Sequence, residues 1–554
     1  MTMLRCCLLC GLLVFLSART YATCPRPLPL ARAEWAGQGQ WQAIEQAGMR
    51  FGEIDVQVEN VYNLERPGEN VWYARTADAL HLATRPWAIR QLLLIAPGEP
   101  ATASGVYQAT RRLRQQVYLR AAEIVPLSCQ DGKVRTLVRA SDAWTLRFNV
   151  RFAHAGNASQ FRFNIEDTDF LGSGRHLGFG HQKTLERSED YIQFGSPSLL
   201  GSRWELDTQY TRLSDGRRAE LNLARPFLRD DTAWASRLSV LDQHLDLNFY
   251  NHGYRAWKLP ATERRVGWQW LHKLNSSGGT ILRGGFAARY ARYTYRSPIP
   301  VRPELLAAPV PEPRTLAGIG PTFNLHQDRY ASFTNVRSVA RIEDYNMGWD
   351  VSGSLWLDST ALGASQSGPA ISLTASKGIQ MKHDWLLLSD ATLEGRYRSG
   401  EWRNGDVRVA STLYGAIARR HTLVAHADFA WLNHPDPENR IYVGGFQALR
   451  GYPNFYATGS RRLRMTVADR IVTTKVLFST FQLGYVAFVD AARIDGSQGG
   501  DWQPWYADAG AGLRLGNLRG SYDRVLYLTL SKPLRHSPGV SRGLQLVVGN
   551  VIDF

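Results

Sequence analysis

The pattern of apolar and polar residues in this chain of 554 residues changes its period once, near Trp144. Before that point, stretches such as "RTADALHLA" and "ASGVYQATRRLRQQVYL" repeat apolar residues at helical spacing. In the second stretch one face collects Val106, Ala109, Leu113 and Val117. From Trp144 onward the helical period disappears and apolar and polar residues alternate one by one. Such alternation is typical of β-strands whose two faces meet different surroundings.

The residues before Trp144 predict one small α+β domain. "GEIDVQVENVY" sets Ile54, Val56 and Val58 against polar neighbours, which predicts a strand. "AAEIVPLSC" and "GKVRTLVRAS" predict a hairpin around Gln130-Asp131-Gly132. The order strand, helix, helix, strand, strand predicts a domain over residues 51–143, after an N-terminal segment of residues 23–50.

The residues after Trp144 predict hairpin after hairpin. "RWELDTQYTRL" alternates apolar and polar residues, Ser214-Asp215-Gly216 turns the chain, and "RRAELNLA" alternates again. A soluble sandwich or propeller would bury the apolar face, whereas a membrane barrel would turn it to lipid. No blade-length repeat indicates a propeller, and one sandwich over residues 144–554 would exceed the usual domain size. We therefore expect an antiparallel transmembrane β-barrel, with the Pro-rich stretch Ser297–Pro313 as a surface loop.

The N-terminus indicates export. "MTMLRCCLLCGLLVFLSARTYA" has one basic residue, a short apolar run and small residues before Ala22, which predicts a signal peptide over residues 1–22. The apolar run is too short for a membrane anchor, which needs about 20 residues. A lipoprotein site at Cys24 is disfavoured, because Tyr21 stands where a Leu is expected. After cleavage only Cys24 and Cys129 remain, and an even pair in an oxidising compartment predicts a disulfide.

Charge and motif content narrow the function classes. The formal net charge of +16 fits contact with an anionic membrane or an acidic partner, and nucleic acid is not expected after export. The sequence has no Gly-x-Ser-x-Gly and no His-Glu-x-x-His, so we expect neither a catalytic site nor a bound metal or cofactor. The chain ends "GLQLVVGNVIDF", with Leu544, Leu546, Val548, Ile552 and Phe554 on one parity, as in a closing strand.

One long Gly-rich stretch carries a family resemblance. "GGFQALRGY" resembles the lumen-loop motif of the BamA/TamA-type outer-membrane assembly and translocation superfamily, also called the bacterial surface antigen family, which includes the two-partner secretion transporters. "IEDTDFLGSGRHL", "AFVDAARI" and "ADAGAGLRL" are similar to barrel strands of that superfamily. The motif residues here are Gly444, Gly445, Leu449, Arg450, Gly451 and Tyr452.

The resemblance implies an architecture. Residues 51–143 would be a single polypeptide-transport-associated (POTRA) domain in the periplasm, and residues 144–554 an outer-membrane barrel with the loop of residues 434–460 inserted into its lumen. Family members have 16 strands; the alternation here yields about twenty candidates. We expect 16, with loop hairpins accounting for the excess. Phe554 would be the C-terminal signal for barrel assembly.

The resemblance also implies a partner for Arg450, since the loop arginine of the family meets acids on the barrel wall. A buried guanidinium needs a carboxylate, and its fork fits one well. Asp490 in "FVD" shares parity with Phe488 and should point inward. The preceding strand usually carries Glu-x-Arg, but here it reads Ala468-Asp469-Arg470, so Asp469 is a partner only if a bulge turns it inward.

We expect a non-catalytic outer-membrane protein that aids insertion of proteins into the membrane or their translocation across it. Its partners would be outer-membrane lipid and extended polypeptide clients held by the POTRA domain, with the barrel monomeric. A passive channel is an alternative, which the POTRA domain disfavours. A lipid-modifying enzyme is a further alternative, disfavoured because too few residues precede residue 51 for a lipase domain.

Overall fold

The computed structural model describes residues 24–28, 35–65, 70–155, 158–184, 186–229, 232–339, 342–382, 385–445, 449–495, 500–518, 525–535 and 537–549. The expected signal peptide and Phe554 lie outside these residues. The chain forms two compact units, and each is described by itself. Among the described helices, none has the length and apolar content to traverse a bilayer.

The N-terminal elements include four helices and a three-stranded sheet of order β1-β3-β2. Helix α1 was not predicted, and α3, which begins with a proline, is an additional short helix. The helices are α1 (Gln38–Gln46), α2 (Trp72–Leu80), α3 (Pro86–Leu92) and α4 (Ala103–Arg114), and the strands are β1 (Arg50–Glu59), β2 (Leu119–Gln130) and β3 (Lys133–Asp142).

The smaller unit contains the chain up to Asp55, Ile95–Tyr107 and Glu123–Val138. Trp41 of α1 is fully buried and donates from its indole to the carbonyl of Ile124 at 3.1 Å. The β2–β3 hairpin turns through Asp131 and Gly132, both with positive φ. This turn type needs a glycine or a small polar residue at each position, which is why the turn could be predicted from the sequence. Cys24 and Cys129 form a disulfide with a Cα separation of 4.8 Å.

The larger unit contains Val56–Leu94, Gln108–Ala122 and Arg139–Phe554. Part of the segment expected to be a POTRA domain therefore groups with the barrel, and the boundary at residue 143 stays a prediction. Helix α4 ends at Arg114, so Val117, which we placed on its apolar face, follows the helix. The other residues of that face, Val106, Ala109 and Leu113, are fully buried.

Most of the larger unit is a closed antiparallel barrel, in which β28 is followed by β4. Two further pairs, β15–β16 and β22–β23, are separate two-stranded sheets. The strands are β4 (Leu146–Ala155), β5 (Ala158–Asp167), β6 (His176–Lys183), β7 (Ser188–Ser196), β8 (Glu205–Leu213), β9 (Gly216–Arg225), β10 (Trp234–Asn251), β11 (Tyr254–Ser277), β12 (Thr280–Tyr295), β13 (Ile299–Pro300), β14 (Arg314–Gln327), β15 (Tyr330–Thr334), β16 (Ile342–Asn346), β17 (Trp349–Asp358), β18 (Gly368–Gln380), β19 (Leu386–Arg398), β20 (Glu401–Ala418), β21 (His421–Asn433), β22 (Ile441–Val443), β23 (Ala457–Gly459), β24 (Arg461–Leu477), β25 (Phe481–Ile494), β26 (Tyr506–Asn517), β27 (Val525–Pro533) and β28 (Gln545–Gly549).

The number of strands differs from our expectation of 16. Within the described residues the barrel contains 20 strands besides the two-residue β13, which lies in the Pro-rich stretch. The physical reason lies in the turns. Only Ser214 and Asp215 separate β8 from β9, and only Ser399 and Gly400 separate β19 from β20. Two-residue turns use little chain, so the candidate segments that we assigned to loops are barrel strands.

The two faces of the barrel follow the alternation in the sequence. Ile319 and Leu357 face each other on adjacent strands of the outer surface and are 58% and 57% exposed. Inward neighbours are polar: Gln269 donates to the Thr322 hydroxyl at 2.7 Å. Closure of the sheet removes free strand edges, while the apolar side chains of the outer face remain exposed.

Candidate functional site in the barrel lumen

The Gly-rich segment between β21 and β24, which we call the lumen loop (residues 434–460), has little regular structure of its own. Its two legs pair briefly, because Ile441 lies opposite Gly459 and Val443 opposite Ala457. Residues 446–448 lie outside the described part of the chain. A loop of this length can hold one conformation only if the surrounding wall packs against it or bonds to it.

Two motif glycines are required by the backbone. Gly444 and Gly445 have φ angles of 120° and 60°, which L side chains rarely adopt. A Cβ on Gly445 would lie 2.0 Å from the side-chain oxygen of Asn454, and one on Gly444 would lie 2.2 Å from the Pro453 carbonyl. The turn before Arg450 therefore needs glycine for both conformation and space.

Arg450 binds Asp490 with both arms of its guanidinium. Nε donates to Oδ2 at 2.6 Å and Nη2 donates to Oδ1 at 2.7 Å. The two residues are 5% and 1% exposed, so the pair is almost dry. A forked contact of this kind is among the stronger protein hydrogen bonds, and a lysine could not reproduce it.

The surroundings of the pair hold both partners in place. The Arg450 guanidinium lies 3.2 Å from the centre of the Phe488 ring, a cation–π contact. The Thr466 hydroxyl donates to Asp490 Oδ1 at 2.8 Å, so the carboxylate has a third donor. Phe488 and Asp490 share inward parity on β25, while Val489 between them is 48% exposed on the outer face.

A second wall carboxylate, Asp508, binds the backbone of the motif. Gly451 N–H donates to Asp508 Oδ2 at 3.0 Å, and the Ser531 hydroxyl donates to Oδ1 at 2.8 Å. A Cβ on Gly451 would lie 2.9 Å from the Asp508 Cβ, so this glycine permits the close approach. Our sequence analysis missed Asp508. The available signal was its alternation with glycines in "ADAGAGLRL", which places it inward and opposite Asp490 on the neighbouring strand.

The rest of the motif enters an aromatic cluster. Leu449 and Tyr452 are fully buried, and the Tyr452 ring lies 5.4 Å from Tyr456 and 5.7 Å from Tyr506. Burial raises the pKa of Tyr456 to about 12, so its hydroxyl stays protonated and donates to the carbonyl of Pro538 at 2.8 Å. The C-terminal leg is therefore held by packing as well as by charge.

Asp469 does not take part in this site. It lies opposite Leu423 in a regular ladder, between the outward-facing Val467 and Ile471, and it binds His421 at 2.7 Å. The only register shift of β24 comes later, between Val472 and Val476. No bulge reverses the side chain at position 469, so the hypothesis that Asp469 is a loop partner is wrong.

The N-terminal leg of the lumen loop has other contacts, among them ion pairs to two wall strands. Asp436 binds Arg396 of β19 at 2.6 Å and Arg314 of β14 at 3.1 Å. Glu438 also binds Arg314 and accepts from the Tyr295 hydroxyl at 2.8 Å. The two legs thus attach to different parts of the wall, because β20, β21 and β24 separate β19 from β25 around the barrel.

These ion pairs border a cavity of about 800 Å³ in the lumen. Arg314, Arg396 and Glu438 line it. Nearby, Arg289 forks onto Asp358 at 2.7 and 3.1 Å, and Arg398 binds the same carboxylate. Among the described residues, no group of three or more His, Cys, Asp or Glu side chains is arranged to hold a metal ion. The geometry offers positioning and charge, and we identify no nucleophile–base pair in it.

Comparisons with known proteins give fold-level likenesses. No family model and no curated protein matches the sequence. Among solved structures, CdiB from Acinetobacter baumannii matches with 11% identity and a TM-score of 0.42, covering 91% of this chain and 73% of that one. BamA from Haemophilus ducreyi lacking POTRA domains 1–3 matches with 12% identity and a TM-score of 0.37, covering 90% and 83%. The FrpB iron transporter from Neisseria meningitidis matches with 8% identity and a TM-score of 0.36, covering 91% of both chains. At these scores the likenesses carry no argument about what this chain does.

Proposed function

We propose that this protein is an outer-membrane barrel that aids the insertion of proteins into the outer membrane or their translocation across it, without catalysing a covalent reaction. The barrel would sit in the membrane through its apolar outer band. The N-terminal domain would face the periplasm and collect extended client polypeptides by adding them to a sheet edge.

One observation carries the proposal: the Arg450–Asp490 fork inside the barrel. A buried ion pair contributes little net stability, because desolvation of the two charges offsets their attraction. A barrel that needed only stability would be served as well by apolar packing. The fork instead fixes one loop conformation inside the lumen, which is useful where a barrel must keep its lumen shape while a client moves along its wall or through it.

The lumen loop also argues against a simple channel. Its legs attach at β14 and β19 on one side and at β25 and β26 on the other, so the loop occupies the space through which a solute would pass. Passive conduction is therefore the competing outcome of the test and not a second proposal.

The test uses the full protein reconstituted into lipid vesicles. An unfolded outer-membrane barrel protein is added from urea, and its protease-protected fraction is followed over time. We expect the wild-type protein to accelerate insertion or passage of the client over protein-free vesicles, and Arg450→Ala to lose most of that acceleration. Arg212→Ala, which alters an exposed arginine on β8, is the matched control.

Solute flux is measured in the same vesicles. If the wild-type protein conducts small solutes and leaves the client at the protein-free rate, the proposed function is wrong and the barrel is a passive channel. If Arg450→Ala retains full client acceleration, the lumen loop is not part of the activity.

A further inference from the structure

A polar cavity, distinct from the lumen-loop site, lies where the last turn of α4 and the chain after it meet the inner faces of β5, β6, β7 and β8. It measures about 630 Å³, and we call it the polar chamber. Residues 112–118 form one side, and the β5–β6 and β7–β8 turns lie at the same end of the barrel. Arg112 binds Glu205 at 2.5 Å and so attaches this segment to the wall.

The chamber is lined mainly by side chains that both donate and accept hydrogen bonds. Glycines on the inner face of β6 make room for them: a Cβ on Gly178 would lie 2.7 Å from the Gln193 amide, and one on Gly180 would lie 2.4 Å from the Tyr191 ring. The amides that line the chamber are Gln115, Gln116, Asn164, Gln182, Gln193 and Gln209.

Two hydroxyl groups in the chamber lack hydrogen-bond partners. Tyr118 and Ser196 both line it and are 2% and 3% exposed. Neither hydroxyl bonds to any atom of the described residues. A buried hydroxyl without a partner is unfavourable, so a ligand that supplied one would recover that free energy on binding.

The chamber is acidic within a basic protein. Glu166, Glu189, Glu205 and Asp207 line it, against Arg112 and Arg162. Arg147 compensates Glu166 and Arg112 compensates Glu205. Within the part of the chain that the structure describes, Glu189 accepts from the neutral amide of Gln182, and Asp207 lies 3.8 Å from His176. With Arg162 counted against Glu189 and Asp207, one net negative charge remains, which favours a cationic or neutral ligand.

We propose that the polar chamber binds an extended, hydrophilic polypeptide segment that carries lysine or arginine. An extended backbone offers unpaired N–H and C=O groups at short intervals, and side-chain amides match both. The acids then select basic side chains. This inference rests on the proposed function, because it makes the chamber a point where a client enters the barrel.

The binding test needs no insertion or translocation, so it is read separately from the proposed function. The full protein in detergent micelles is titrated into a fluorescent octapeptide of Ser, Asn and two Lys, and the anisotropy is measured. A peptide with Glu in place of Lys and the sugar maltotetraose serve as comparison ligands. We expect the Lys peptide to bind and the Glu peptide to bind at least tenfold more weakly.

Three variants assign the binding to the chamber. We expect Gln193→Leu and Tyr118→Phe to lower the affinity for the Lys peptide about three- to tenfold, the range of one lost hydrogen bond. Glu189→Gln should lower the affinity for the Lys peptide and leave the affinity for a neutral Ser–Asn peptide unchanged. Tyr210→Phe, on the outward face of β8, is the matched control and should have no effect.

The proposal is overturned if the Lys peptide does not bind, if all three chamber variants bind like the wild type, or if maltotetraose binds instead and responds to the same variants. If the Lys peptide binds the chamber but the protein does not accelerate the client in vesicles, the binding site is supported and the proposed function is wrong.

Discussion

The two legs of the lumen loop use the same type of ion pair in different surroundings. At Arg450 the fork to Asp490 is covered by the Phe488 ring and is nearly inaccessible to water. At Asp436 and Glu438 the contacts border a cavity of about 800 Å³, and the Asp436 side chain remains 15% exposed. Coulomb attraction grows as the dielectric falls, and salt screens only what water reaches.

From this difference we expect the C-terminal leg to stay attached to the wall under conditions that release the N-terminal leg. Aromatic packing and a dry fork act together at the C-terminal leg, so loss of one leaves a buried charge or a void. The N-terminal leg depends on ion pairs whose arginines, Arg314 and Arg396, line a cavity, so water and salt reach them more readily than they reach the fork. We therefore expect the N-terminal leg to lose its contacts more readily than the C-terminal leg.

Removal of the dry fork is the largest expected effect. Arg450→Ala should destabilise the loop by about 3–5 kcal/mol, because Asp490 is left buried without its cation. Limited proteolysis of the folded barrel should show cleavage within residues 434–460. Asp490→Asn should act similarly, and the double variant should be no worse than either single one, because the residues act as a unit. Arg450→Lys should rescue poorly.

The control for this prediction is Arg212→Ala on the outer face of β8, which should leave the protease pattern unchanged. If Arg450→Ala keeps the loop protected, the fork does not hold the C-terminal leg and the contrast between the legs is lost.

The glycine turn before Arg450 should give the next largest effect. In Gly445→Ala the new methyl group clashes with the Asn454 side chain, and the alanine must adopt a positive φ. Together these effects should cost about 1–3 kcal/mol. In the double variant Gly445→Ala, Asn454→Ala, the part of the destabilisation that comes from the steric clash should disappear. The part that comes from the positive φ should remain. Hydrogen exchange of residues 449–456 measures both. Gly400→Ala, in the β19–β20 turn with open space around it, is the control for backbone strain alone.

A buried acid that forms no ion pair among the described residues sharpens the contrast with Asp490. Asp169, in the turn after β5, accepts from the Thr84 hydroxyl at 2.6 Å and from Gly174 N–H at 2.5 Å. Burial, opposed by these hydrogen bonds and reinforced by nearby Asp142, raises its pKa from 3.8 to about 7. Because the folded-state pKa is raised, the folded form is favoured at low pH, and this stability is lost as pH rises from about 4 to 7.

Hydrogen exchange of residues 81–94 at several pH values tests this. Relative to Asp169→Asn, which cannot ionise, the wild type should lose about 2 kcal/mol of local stability between pH 4 and pH 8. Equal pH dependence in both proteins would show that Asp169 is ionised throughout and that its hydrogen bonds outweigh its burial.

Loss of the ion pairs at the N-terminal leg should have the smallest effect. The double variant Asp436→Asn, Glu438→Gln should cost about 1 kcal/mol, because water and salt screen the lost contacts. In the wild type, 1 M NaCl should make residues 434–440 protease-sensitive and leave residues 449–460 protected. Equal sensitivity of both segments at high salt would remove the distinction between the legs.

Part of the site could be predicted because it is local. Arg450 was identified from its glycine-rich surroundings, the family resemblance implied an acidic partner on the wall, and the parity of "FVD" pointed to Asp490, since side-chain direction alternates along a strand. The disulfide partners were identified because only two cysteines remain after the expected signal peptide. Asp469 misled us, because we allowed a bulge that the ladder does not contain.

Other contacts had no local signal. Arg314 and Glu438 are 124 positions apart, and Arg396 and Asp436 are 40 apart, with nothing in either neighbourhood to indicate the other. The polar chamber likewise joins residues 112–118 to four strands that begin 40 or more positions later. Such sites exist only once the barrel closes.

By itself the sequence determined that residues after Trp144 form strands with one apolar and one polar face, because alternation is a property of neighbouring residues. It also determined where the chain turns tightly, through residues that tolerate positive φ. Only the tertiary structure decided how many strands close the barrel and which charges meet across its lumen. Those depend on turn lengths summed around the whole ring, and on pairings between residues that the chain itself keeps far apart.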